Sequence, residues 1–268
     1  MRICRRLSHL IPALIVVAAS IGAARADGPK RSFERDLKVT GPVEVSLEAA
    51  SSDLKVVAGA DGTVRIRFIV QSSHNGNHVP ENFEALFSSV ESNPPFKQEG
   101  NRIVLGNSAD DAAPKGASVD YELTVPATTR LNFESQSGDL WAEGIRGPVS
   151  VETQSGDIRL NSVAGAIQIQ TTSGDIKLQQ TETRGIKIET TSGDVNLQLP
   201  EKASFDLSVR TASGDINLSP TFAGSARFDD EHAASLKVHG GGVPVEVRTA
   251  SGDVTIQPAT HTDHVAAN

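Results

Sequence analysis

"QTTSGDIKL", residues 170–178, carries the feature that organises the chain. Its tripeptide Ser173-Gly174-Asp175 returns with first residues Ser137, Ser155, Ser192, Ser213 and Ser251. In chain order the steps are 18, 18, 19, 21 and 38 residues. The last step spans two periods, which gives a mean repeat of 19 with one degenerate unit. In that unit, 226–238, Glu231-His232-Ala233-Ala234 stands where the tripeptide would be. An imperfect copy lies far upstream, from Ala49 to Leu54.

The flanks repeat with the motif. Apolar columns precede it at Leu131, Val149, Ile167, Ile186, Leu207 and Val245, and two residues later at Phe133, Val151, Ile169, Ile188, Val209 and Val247. A hydroxyl column follows at Ser135, Thr153, Thr171, Thr190, Thr211 and Thr249. Beyond the motif, apolar residues return at Leu140, Ile158, Ile176, Val195, Ile216 and Val254. Strict alternation describes strands with one face buried. Each unit is then two short strands joined at Ser-Gly, with a second turn often marked by Gly147, Gly165, Gly185 or Gly242. Four or five buried side chains cannot make a core alone, so units must stack. The expectation is an all-β solenoid of roughly 19-residue, two-strand coils. An antiparallel meander of Ser-Gly hairpins is the alternative, with Thr153 facing Ile158.

The stretch "LTVPATTRLNFESQSGDLWAEGIRGPVSVETQSGDIRL", residues 123–160, resembles the bacterial "putative adhesin" family of β-strand repeat domains, a family of unknown function. The resemblance is close over 119–257 and loose over 43–70. It implies a β-helix-like fold in an exported protein and supplies no catalytic residue.

The first residues read as a secretory leader. Arg2, Arg5 and Arg6 precede an apolar run from Leu10 to Ala19, and Ala24-Arg25-Ala26 offers small residues for cleavage after Ala26. The run is shorter than the roughly 20 residues of a membrane span. Four of the 25 Lys and Arg leave with it; 21 remain against 33 Asp and Glu, so net charge falls from −8 to −12. That balance argues against nucleic acid and anionic lipid as partners, and with no second apolar stretch in the sequence no membrane insertion is expected. The single Cys4 also leaves, which removes disulfides and thiolate chemistry. The expected location is the periplasm or the medium.

Four segments follow from this reading: the leader 1–26, an irregular β segment with a short helix over 27–125, the repeats over 126–257, and a tail over 258–268. Within the irregular part, Phe83, Leu86 and Phe87 share one helical face of 81–90. Phe96 to Leu105 and Ser118 to Val125 read as strands, with a turn at Gly100-Asn101.

Candidate chemistry is sparse. Stacked coils would align Asp139, Asp157, Asp175, Asp194, Asp215 and Asp253 along one edge. Unit charges about 5 Å apart in water repel by roughly 0.8 kcal/mol. Such a row could form a weak calcium ladder, although calcium takes six to eight oxygens. Otherwise the carboxylates hold the backbone of the turn. No other cofactor is expected. His74 with His78, and His261 with His264, read as solvated loop and tail pairs. Trp141 alternates outward between Leu140 and Ala142, as a sugar platform or under cover of the N-terminal segment. Segments 75–95 and 219–242 depart from the period and are the places for a specific site. No metalloprotease motif, nucleophile elbow or phosphate loop occurs.

The expectation is a non-enzymatic, exported adhesin or envelope-binding module. Its partner would be a cell-envelope polymer or surface protein, and uncovered end coils could pair copies end to end. The alternatives are a carbohydrate-active β-helix enzyme and a structural or signalling module of an envelope stress system.

Overall fold

The computed structural model describes residues 30–72, 83–106, 117–222, 227–230 and 232–259. The leader, His74, His78, His261 and His264 lie outside them. The central units form coils of two strands each. These are β8 (Arg130–Ser137) with β9 (Leu140–Glu143), β10 (Val149–Ser155) with β11 (Ile158–Val163), β12 (Ile167–Ser173) with β13 (Ile176–Gln180), and β14 (Ile186–Ser192) with β15 (Val195–Leu199). Coil lies on coil in parallel register: Thr153 pairs with Ser135 on one side and Thr171 on the other. The hairpin alternative is excluded, because Thr153 has these partners and not Ile158.

The stacking buries like on like. Leu131, Val149, Ile167 and Ile186 are in register and at most 3% exposed. Their partners across the core include Leu140, Ile158, Ile176 and Val195, at most 1% exposed. Both strand sets thus give their alternate residues to one core.

The N-terminal region is part of the same stack. β2 (Glu44–Ser51) and β3 (Leu54–Gly59) form a coil directly against β8 and β9. Outside them lie β6 (Arg102–Gly106) and β7 (Ala117–Pro126). The stack has no break at residue 125, and the segment expected to be irregular supplies two coils' worth of strands. β4 (Thr63–Ser72) and β1 (Lys30–Lys38) extend β7 antiparallel, while β5 (Phe96–Glu99) closes a hairpin on β6. Helix α1 (Phe83–Ser92) buries Phe83, Phe87 and Val90, an i, i+4, i+7 stripe. Phe87 meets Phe33 edge-on, which seats the helix on β1.

The C-terminal units do not follow chain order. β20 (Val243–Ser251) and β21 (Val254–Pro258) pair with β14 and β15. The earlier unit, β16 (Phe205–Arg210) with β17 (Ile216–Leu218), lies outside them. The degenerate unit is no coil. It forms β18 (Arg227–Asp230) and β19 (Ala233–Val238), antiparallel strands that cap β16. One sheet therefore runs β1-β4-β7-β3-β9-β11-β13-β15-β21-β17, and the other β18-β19-β16-β20-β14-β12-β10-β8-β2-β6-β5.

Candidate functional site

Each Ser-Gly-Asp forms the corner between the sheets. Gly174 has φ +121°, and a Cβ on it would stand 2.1 Å from the Gly156 carbonyl oxygen. Gly156 lies on Gly138 in the same way. Only glycine lets successive corners approach this closely. The hydroxyl column is tied locally: Thr153, Thr171 and Thr190 each donate to the serine carbonyl two residues on, at 3.1 Å. Thr211 Oγ1 is buried without a partner.

The aspartates form a continuous ladder, but of hydrogen bonds. The Asp157 amide donates to Asp139 Oδ1, Asp175 to Asp157, and Asp194 to Asp175, at 2.8–3.1 Å. Asp253 then donates to Asp194, and Asp215 to Asp253, both at 2.9 Å. The row continues at the other end: Asp139 donates to Asp53 at 2.9 Å and Asp53 to Asp120 at 3.1 Å. Each accepting carboxylate thus satisfies one amide of the next corner, and the charge on the acceptor strengthens that bond. Among the described residues no three His, Asp or Glu side chains gather as a metal site. Asp120 has no tripeptide around it, only Ser118-Val119-Asp120, so the motif could not reveal it. Burial is the main cause that raises its carboxyl pKa above the ordinary value, against the Asp53 amide, which lowers it.

A groove of about 700 Å³ lies on the outer face of the β2–β14 sheet. It crosses five coils. Glu48, Glu134, Glu152, Gln170 and Glu189 form one register row along it. Ala50, Gln136, Gln154, Thr172 and Thr191 line it two residues further along each strand. Glu189 is drawn towards Lys187 at 3.1 Å and Arg248 at 3.7 Å. Glu48, Glu134 and Glu152 make no side-chain hydrogen bond or ion pair among the described residues. Like charges side by side on neighbouring strands weaken a sheet, so this row costs the fold something.

The opposite face carries a row of cations. Lys55, Trp141, Arg159 and Lys177 are in register on β3, β9, β11 and β13. The half-buried Trp141 ring has the Lys55 ammonium 4.9 Å from its centroid, so coil 44–59 covers it in part. Aligning the strands that follow each motif would have put Arg159 and Lys177 in one row with Trp141. Segment 219–242, singled out for its broken period, supplies the capping strands β18 and β19.

These coils, corners and parallel registers define a β-solenoid repeat domain. The chain belongs to the Toastrack DUF4097 family, whose model matches residues 43–257. No curated protein matches it. Among solved structures, it is similar to a "putative cell adhesion protein" from Clostridium sporogenes, at TM-score 0.45 and 11% identity, over 84% of this chain and 99% of that one. It is also similar to a "putative adhesin" from Bacteroides fragilis, at TM-score 0.39 and 12% identity, over 85% and 97%.

Proposed function

We propose that the protein is a non-enzymatic, adhesin-like binding module exported to the bacterial cell envelope. The observation that carries this reading is the groove across five coils, with its row of solvent-facing polar side chains at one strand spacing each. That row suits an extended envelope polymer or surface-protein segment held by many weak contacts. Glu48, Glu134 and Glu152, without an ion-pair partner among the described residues, favour ligands that carry amino groups. Glycoside hydrolysis needs two carboxyl groups flanking the scissile bond. Here the glutamates share one row, and the residues along the other side of the groove are Ala50, Gln136, Gln154, Thr172 and Thr191.

The test probes arrayed envelope glycans and immobilised envelope proteins with the purified protein, beside Glu134→Gln/Glu152→Gln. Binding that falls in the double variant supports the groove. Release of reducing ends from any glycan, abolished in the double variant, overturns the non-enzymatic reading.

A further inference from the structure

Opposite the groove, the face built by β3, β9, β11 and β13 gathers cations in a chain with a large acidic excess. Lys55, Arg159 and Lys177 occupy three of four consecutive positions in one register row, and the chain's single tryptophan fills the fourth. Lys55 and Lys177 are exposed, and the Arg159 side chain is 41% exposed although it pairs with Asp157 at 2.7 Å. Acids share this face too: Glu122, matched by Arg67 at 3.2 Å, and Glu143, two residues along β9 from Trp141 and in register with Asn161. Two residues along the strands, Asn161, Gln179, Gln198 and Gln257 set half-exposed amides on the same face.

We infer that this face is a second binding surface, for an acidic linear polysaccharide. Adjacent strands lie about 4.8 Å apart, and a linear glycan advances by a similar distance per sugar. Successive carboxylates or phosphates on such a chain can therefore meet Lys55, Arg159 and Lys177 in turn. The amides suit sugar hydroxyls, and the Trp141 ring offers an apolar flank with a cation held over it. Single-stranded nucleic acid is the poorer fit, because its binding sites stack successive bases on several aromatic side chains and this face has one.

The single tryptophan makes the test direct. Polygalacturonate is titrated into the protein while Trp141 emission is followed, with neutral dextran and a single-stranded oligonucleotide in parallel, and calorimetry as a second readout. Polygalacturonate is expected to shift the emission and to bind more weakly as salt rises. Lys55→Ala/Lys177→Ala is expected to weaken it about tenfold, the loss of two exposed ion pairs. Lys177→Ala alone leaves the Lys55–Trp141 contact intact and should weaken binding without changing the free emission. Glu134→Gln/Glu152→Gln, across the molecule, should bind as the parent does, which separates this surface from the groove. Equal binding of dextran, tighter binding of the oligonucleotide, or no heat and no emission change with polygalacturonate overturns the inference.

Discussion

The Asp253 amide donates to Asp194 Oδ1 at 2.9 Å across 59 residues of chain. The residue that follows Asp194 in the motif series, Asp215, instead receives its carboxylate partner from Asp253. The coil 243–258 is thus inserted between two earlier coils. A chain ending at residue 238 is expected to lose far more than one terminal repeat. It loses the buried Val245, Val247, Val254 and Ile256, leaves β14, β15 and β16 without a neighbour on one side, and leaves β17 with none. The expected loss exceeds about 5 kcal/mol, enough to unfold an ordinary domain. Urea unfolding followed by circular dichroism checks it. A midpoint close to that of the full chain would show that β16 and β17 can step up onto β14 and β15.

The corner glycines are separable from ordinary turn glycines. Gly174→Ala meets the Gly156 carbonyl and a φ of +121°, with an expected cost of about 2–4 kcal/mol. At Gly185 an added Cβ meets nothing within 4 Å. Gly185→Ala should range from neutral to about 1 kcal/mol stabilising, by restricting the unfolded chain. Thermal unfolding of the pair distinguishes close stacking from general turn flexibility.

The hydroxyl column has a built-in control. Thr171→Val removes a hydrogen bond to the Ser173 carbonyl and should cost about 1 kcal/mol. Thr211→Val removes a buried hydroxyl that has no partner, so it should be neutral or stabilising. Equal losses in urea unfolding would show that the column acts through shape alone.

Asp120 should give a pH signature. Burial raises its folded pKa above the ordinary value near 3.8, so the folded protein favours the protonated carboxyl. The stability this group contributes is full below the unfolded value and is lost as pH rises through the folded one. Asp120→Asn stays neutral and can still accept from the Asp53 amide. It should be more stable than the parent at neutral pH, with the difference vanishing below about pH 3.8. A difference that persists unchanged into acid would rule out titration of Asp120 as its cause.

Calcium is expected to leave the melting temperature unchanged. One oxygen each of Asp139, Asp157, Asp175, Asp194 and Asp253 already accepts an amide, and a calcium ion needs six to eight oxygens. A rise in melting temperature that saturates with calcium would assign the remaining oxygens to a cation.

The period, the columns and the solenoid were legible because like-on-like stacking repeats the same residues in every coil. That uniformity also hides the order of the coils. Ser192, Ser213 and Ser251 carry the same motif, so nothing local tells which neighbour each unit takes. The strands β6 and β7 were legible as alternating stretches, at Phe96 to Leu105 and Ser118 to Val125, but their place in the stack was not. No Ser-Gly-Asp joins β6 to β7, so no motif aligned them with the coils. Val119 occupies the place that glycine holds in the repeats.

Both ends of the stack share one arrangement. At each, an outer strand pair sits beyond a coil that is not its neighbour in the chain: β6 and β7 beyond β2 and β3, and β16 and β17 beyond β20 and β21. The protein is therefore clasped at both ends, and its length is set by what lies between the clasps. Duplication or deletion of one 18-residue unit within 130–199 leaves both clasps intact. The same change at 44–59 or 243–258 would open one. Evolution can lengthen this ruler from its middle, and the groove and the cationic face would grow with it, one graduation per coil.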